Sequence, residues 1–341
     1  MRYKLFGKTG LKVSELCLGT MTFGEDWGTG SDRNTSKEVF DNFVEAGGNF
    51  FDTANFYTNG TSEKYLGEFV GQERDKFVLA TKYTLIEDSS HPNGTGNSRR
   101  NMMRTVEASL KRLNTDYIDI LWLHMWDFTT QPEEVLRAMN DLISQGKVCY
   151  IGISDTPAWV VAKANTIAEL RGWEAFAGLQ VEYSLIARDV ERELLPMAND
   201  FGMTTTIWSP LGAGLLSGKY NKEIDKDGRL TEKSVKYNSK NLSIAKKVVE
   251  IADKLGKSPA QVALNWLRAQ NKNIIPIIGA RKTNQIIDNI KCLDWQLDQL
   301  DLELLDGESA IDLGFPTKFL KEANPIQYAF GGWYDKIDQR K

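Results

Sequence analysis

Histidine is nearly absent from this 341-residue chain, which has two, His91 and His124. A site of clustered imidazoles is therefore excluded, although one working imidazole is not. Cysteine is almost as scarce. Cys17, Cys149 and Cys292 are odd in number and far apart, which predicts reduced core thiols and no disulfide framework. No run approaches the roughly 20 apolar residues that a membrane-spanning helix needs. The first ten residues, MRYKLFGKTG, lack the apolar stretch and small-residue cleavage site of a secretory leader. The expectation is a cytoplasmic protein, in which the sequons at Asn34, Asn59, Asn93 and Asn241 carry no meaning. Positive charge is not in excess either: 42 Lys and Arg stand against 46 Asp and Glu, a net charge of −4. That excludes nucleic acid as a bulk partner and leaves room for a local basic pocket.

Nucleotide fingerprints are missing as well. No G-x-G-x-x-G follows an early strand, so an open dinucleotide-binding sheet is disfavoured. The nearest stretch, Gly212-Ala213-Gly214-Leu215-Leu216-Ser217-Gly218, has one residue too many and lies far along the chain. It fails as a phosphate loop too, because Ala213 replaces the first glycine and Tyr220 follows Lys219.

What is present is a regular alternation. With 41% hydrophobic residues the chain can fill a core. Short β-branched runs predict strands at Leu16–Gly19, Asn49–Asp52, Phe77–Lys82, Ile118–His124, Val148–Ser154, Gly178–Val181, Met203–Trp208 and Ile274–Ile277. Between them lie 3.6-period patterns such as Met103/Val106/Leu110/Leu113. Pro132, Pro157 and Pro259 sit just inside helix starts, with Thr130, Thr156 and Ser258 as capping candidates, and Gly146 fits a helix C-terminus. Eight strands, each followed by a helix, predict an α/β fold closed as a (β/α)8 TIM barrel of about 14–292. The remaining length fits a long loop near 212–242 and a C-terminal tail of about 310–341. No linker divides the chain, so residues 1–341 are read as one domain.

In such a barrel chemistry sits at the C-terminal ends of the strands. The second predicted strand ends at Asp52, with Tyr57 five residues into the following loop. The third ends at Lys82 and the fourth at His124. Individually each has an ordinary structural reading as a cap or a core residue. At three successive strand ends they form a set: a phenol to deliver a proton, an ammonium to lower its pKa, a carboxylate to keep the ammonium charged and an imidazole to orient a substrate oxygen. This assembly suits protonation of a carbonyl oxygen while hydride arrives at carbon.

These residues sit in longer stretches: Leu18-Gly-Thr-Met-Thr-Phe-Gly24, Phe51-Asp-Thr-Ala-Asn-Phe-Tyr57, Ala80-Thr-Lys82, Leu121-Trp-Leu-His124, Gly146–Ser154, Leu179–Ser184, Trp208–Tyr220 and Ile277–Arg281. Over about residues 1–310 the sequence resembles the aldo-keto reductase superfamily, and Asp155-Thr-Pro-Ala-Trp-Val-Val resembles its aryl-alcohol-dehydrogenase-like, bacterial branch. The resemblance implies a barrel that binds NADPH or NADP+ without a Rossmann fold, a catalytic tetrad of Asp52, Tyr57, Lys82 and His124, and no metal. It implies Ser154 and Gln180 at the nicotinamide carboxamide and Trp208 stacked on the ring. Ser209, Pro210, Leu211, Gly212, Gly214 and Lys219 would form the pyrophosphate loop. Gly279, Arg281, Gln285, Asp288 and Asn289 would form the adenosine end, with Thr20, Met21 and Asp155 completing the cofactor contacts. Asp155 stands where many members have Asn, so it lacks the amide donor. The activity implied is reduction of aldehydes or ketones, reversibly the oxidation of an alcohol, by a monomer or weak homo-oligomer that needs neither membrane nor nucleic acid. The alternative is a cofactor-sensing regulatory subunit like the potassium-channel β subunits. Trp27, Trp126 and Phe330–Tyr334 are candidate aromatic walls for the substrate.

Overall fold

The computed structural model describes residues 1–220 and 230–338. The chain opens with an antiparallel hairpin of β1 (Tyr3–Leu5) and β2 (Lys12–Ser14). The sequence reading does not anticipate it, because Tyr3–Leu5 and Lys12–Ser14 are mixed polar and apolar and carry no β-branched run. The hairpin closes the N-terminal end of the barrel. Lys4 Nζ donates to the Ile274 carbonyl at 2.8 Å, and the Gly7 amide to Thr204 Oγ1 at 2.7 Å. Phe6 then inserts from below, edge-on to Phe50 and Trp122 at 6.2 and 6.0 Å.

Eight parallel strands follow: β3 (Cys17–Gly19), β4 (Phe50–Asp52), β5 (Val78–Tyr83), β6 (Ile118–Leu123), β7 (Val148–Ser154), β8 (Gly178–Glu182), β9 (Thr204–Trp208) and β10 (Ile274–Ile278). They close into a barrel, β10 pairing with both β9 and β3. The (β/α)8 reading holds, with boundaries shifted by a residue or two. His124 lies one residue past β6.

Helices α1 (Arg33–Glu45), α2 (Thr61–Val70), α3 (Arg99–Leu113), α4 (Pro132–Ser144), α5 (Ala158–Arg171) and α6 (Leu194–Phe201) each follow a strand. Two helices, α7 (Ser239–Leu255) and α8 (Pro259–Gln270), separate β9 from β10, which accounts for the wider spacing there. Then come α9 (Thr283–Ile290), α10 (Gln299–Glu308) and two short tail helices, α11 (Thr317–Leu320) and α12 (Ala323–Phe330). Residues 221–229 of the expected loop at 212–242, and 339–341 of the tail, lie outside the described residues. Among the described residues no helix is long and apolar enough to cross a membrane.

Capping follows expectation at α8 only, where Ser258 accepts from the Gln261 amide and Pro259 occupies the first turn. At α4 the capping position is Gln131, and Thr130 is instead drawn to Asp127. At α5 it is Pro157, because the Thr156 hydroxyl donates to the Ser154 carbonyl. Gly146 does terminate α4, with φ +71°. Cys17 and Cys292 are buried, but Cys149 is exposed, since it lies on the outward face of β7.

One apolar layer fills the space between barrel and helices, and a second fills the barrel itself. The inner cluster stacks Phe6, Val13, Cys17, Phe50, Val78, Ala80, Ile120 and Trp122. Trp122 needs glycine beside it: a Cβ at Gly152 would lie 2.3 Å from its ring. The barrel is therefore plugged at the bottom and middle, and any site must open at the top.

Candidate active site

Period-two alternation places the chemistry. Successive side chains of a strand point to opposite faces, so Phe50 and Asp52 share the interior face of β4. Val78, Ala80 and Lys82 share that of β5, and Ile120 and Trp122 that of β6, with His124 next in phase. The lower members join the inner apolar cluster, and the last polar one of each strand reaches the mouth. Ser154 and Trp208 end β7 and β9 in the same way, Gln180 lies two residues before the end of β8, and parallel registers set Ser154 beside Gln180.

Tyr57 arrives from a loop. Its amide donates to the Ala54 carbonyl at 3.2 Å, and three left-handed residues follow: Thr58 (φ +44°), Asn59 (φ +53°) and Gly60 (φ +90°). A β-branched residue in that region costs about 1–3 kcal/mol. Thr58 is held there because its buried hydroxyl donates to the Phe23 carbonyl at 2.7 Å and accepts from the Ser62 amide at 3.0 Å.

The four groups meet. Lys82 Nζ donates to Asp52 Oδ2, to the Thr53 carbonyl at 2.7 Å and to the Tyr57 hydroxyl at 3.2 Å. Asp52 Oδ1 accepts from Gln180 Nε2 at 2.9 Å. The His124 ring stands edge-on to Tyr57, centroids 5.9 Å apart. Burial by itself would discharge Lys82; the Asp52 carboxylate and then Tyr57 outweigh it and hold the ammonium above its usual 10.5. Burial pushes the Tyr57 phenol above its usual 10, with Lys82 pulling it back. The lowering expected from sequence is thus at work but smaller than the desolvation it opposes. Burial and the Lys82 charge hold His124 well below 6.5, so the imidazole is neutral at pH 7. An NMR titration is expected to show the neutral ring throughout the neutral range. An imidazolium at pH 7 would contradict this electrostatic picture.

Tyr57, Asp52 and His124 line a cavity of about 740 Å³. Lys82 is fully buried behind them. The same cavity is lined by Met21, Ser154, Asp155, Gln180, Trp208 and the loop residues Ser209, Pro210, Leu211, Gly214 and Lys219. Gly279, Arg281, Gln285, Asp288 and Asn289 line it too. Fifteen residues from five parts of the sequence thus share one wall. Thr20 and Gly212 do not. The Thr20 hydroxyl turns inward to the Asp52 carbonyl and Ser62, and Gly212 is buried against Ile186, where a Cβ would lie 2.4 Å from Ile186 Cδ1.

Asp155 (φ +39°) turns its carboxylate to the Trp208 indole nitrogen at 3.1 Å, and burial raises its carboxyl to about 6. Both Asp288 oxygens are engaged, accepting from Ser258 Oγ at 2.6 Å and Gln261 Nε2 at 2.7 Å. Sequence reasoning overlooked Thr22, Ser217, Lys236 and Ser258 on this wall. Lys236 pairs with Glu182 and sits 5.8 Å from the Trp208 ring centroid. It belongs to a segment with no strand-end signature, and Ser258 was legible only as a cap. Trp27 does line the cavity; Trp126 and Phe330–Tyr334 do not.

Several wall atoms fit a carboxamide and a flat ring. Ser154 Oγ is buried without a protein partner, next to the Gln180 side chain, and the Trp208 indole borders the same space. No cluster of metal-ligating side chains occurs among the described residues.

The sequence profile of the aldo/keto reductase family matches residues 15–309. The chain belongs to the aldo/keto reductase family. It is 38% identical to norsolorinic acid reductase of Aspergillus flavus, over 95% of this chain and 85% of that protein. It is 40% identical to norsolorinic acid reductase stcV of Emericella nidulans, over 94% and 84% respectively. Aryl-alcohol dehydrogenase [NADP(+)] of Phanerodontia chrysosporium is 35% identical, over 96% of this chain and 91% of that protein. These relatives carry the names of reductases and dehydrogenases, and the regulatory-subunit alternative finds no support among them. The chain is therefore an oxidoreductase of this family that acts on small carbonyl compounds.

Proposed function

We propose that the protein reduces aldehydes and ketones with NADPH, with Tyr57 as the general acid. The observation that carries this reading is the convergence of Tyr57, Lys82, Asp52 and His124 at a cavity that Arg281 also lines. When bound, the nicotinamide supplies hydride to the carbonyl carbon. Ser154 and Gln180 would hold its carboxamide, and Trp208, steadied by Asp155, would cover its ring and exclude water. Tyr57 gives its proton to the carbonyl oxygen, and Lys82 stabilises the phenolate left behind. Neutral His124 donates a hydrogen bond that orients the same oxygen. The aromatic residues Trp27 and Phe56 on the wall suit a planar aromatic substrate, in keeping with the names of the relatives. Steady-state NADPH oxidation with 4-nitrobenzaldehyde and a wider carbonyl panel tests this reading. Turnover supports it; cofactor binding without turnover across the panel refutes it.

Cofactor choice rests on Arg281, half-buried beside the first turn of α9, with its amide donating to Gln285 Oε1 at 2.9 Å. A guanidinium can give a phosphate two parallel hydrogen bonds and gains little from a bare hydroxyl. Hydrogen bonds to charged groups contribute about 1.5–3 kcal/mol, so NADPH is expected to bind at least about tenfold more tightly than NADH. Arg281→Ala should weaken NADPH and leave NADH nearly untouched in a fluorescence titration. Equal losses for both cofactors would make Arg281 a structural residue.

A further inference from the structure

Behind the Tyr57 loop lies a buried charged cluster that the chemistry above does not use. Glu63, in the first turn of α2, is fully buried, its Oε1 accepting from Thr81 Oγ1 at 2.5 Å and its Oε2 from Arg112 Nε at 2.6 Å. Arg112, near the end of α3, also donates from Nη1 to Glu87 Oε1 at 2.8 Å. Glu87 in turn accepts from Asn55 Nδ2 at 2.9 Å through Oε2. The guanidinium is itself largely enclosed, with 18% of its side chain exposed.

The placement of these partners along the chain is what matters. Asn55 precedes Tyr57 by two residues, and its amide is tied to the Lys82 carbonyl at 3.3 Å. Gly60 follows Tyr57 by three, and a Cβ there would lie 2.8 Å from Arg112 Cδ. One arginine therefore braces both flanks of the loop: the upstream side through Glu87 and Asn55, the downstream side through Gly60 and Glu63. Between these braces run the left-handed residues Thr58, Asn59 and Gly60. A strained segment keeps its conformation only where its surroundings over-determine it.

We propose that Arg112, through its two carboxylate partners, is the positioning residue that holds the Tyr57 hydroxyl within reach of Lys82. It touches neither substrate nor cofactor, so it acts through the loop. The proposal rests on the reading of Tyr57 as the acid, and the test separates the two.

Arg112→Lys keeps the charge but cannot bridge two carboxylates in fixed geometry. Glu87→Gln is gentler: it leaves Arg112 and Glu63 joined and puts an amide donor among the donors of Asn55 and Arg112. Both variants are expected to keep the wild-type circular dichroism and NADPH Kd within about twofold. The kcat should fall about 10-fold or more, since small misplacements of a reacting group are costly. Independently of turnover, carbon-13-labelled tyrosine NMR, with Tyr57→Phe assigning the resonance, reads the phenol directly. As the hydroxyl draws away from Lys82, the Tyr57 pKa should rise further in both variants. An unchanged Tyr57 pKa in the folded variants overturns the proposal. So does loss of kcat, cofactor affinity and thermal stability in step, which marks a merely structural ion cluster. If the wild type fails to turn over carbonyls, the functional reading falls, and the NMR shift still decides whether Arg112 positions Tyr57.

Discussion

Tyr57→Phe is expected to lower kcat for carbonyl reduction by about 10²–10⁴-fold, the contribution typical of a well-placed general acid. The substitution removes one oxygen and little else. Lys82 keeps the Asp52 carboxylate and the Thr53 carbonyl as partners, so its charge stays satisfied and the barrel should fold normally. NADPH affinity should barely change, because the phenol acts on the carbonyl oxygen and not on the cofactor. Steady-state kinetics beside a fluorescence titration separates the two quantities. A variant within a few-fold of wild-type kcat would remove Tyr57 from the role. The pH profile carries the same sign. Reduction needs the protonated phenol, and burial sets its pKa above 10. The reductive kcat should therefore hold through neutral pH and fall only as pH rises past about 10.

Lys82→Met should match that loss in kcat and add a loss of stability. The lysine opposes the desolvation of Tyr57, so removing it makes the phenol a poorer acid and leaves the phenolate unsupported. It also strands a carboxylate: Asp52 is 3% exposed and would keep Gln180 but lose its cation. Breaking a buried ion pair on one side costs about 3–5 kcal/mol, visible as a lower midpoint in chemical denaturation. Because Lys82 acts through Tyr57, the double variant Lys82→Met/Tyr57→Phe should have nearly the kcat of Tyr57→Phe alone. Additive losses would mean that lysine acts on the substrate by a separate route. A wild-type kcat in Lys82→Met would dismiss it from the chemistry.

Much of this site is legible in the amino-acid sequence. Period-two alternation assigns the faces of the short barrel strands, and polar residues that break an apolar run at its C-terminal end mark a barrel mouth, so Asp52, Lys82 and His124 stood out. The wall residues Ser154, Gln180, Trp208 and Arg281 were reached through resemblance, because nothing in their spacing alone points to a ligand. Thr20 and Gly212 show the limit of that route. Both lie in the right motifs, yet one hydroxyl turns to Asp52 and Ser62 while the glycine packs against Ile186.

The sequence by itself determined the alternating α/β order and the residue types at the mouth, since these follow from local pattern and strand parity, while the count of eight strands made a barrel the expected closure. Only the tertiary structure decided that burial outweighs Lys82 at the phenol, that Asp155 turns to Trp208, and that the hairpin whose turn carries Phe6 plugs the barrel. It alone showed Arg112 bracing the Tyr57 loop from 55 residues downstream, with Glu63 and Glu87 as its partners. Desolvation and long-range hydrogen bonds depend on what surrounds a group in space. Residues far apart in the chain supply those surroundings, and no local pattern records them.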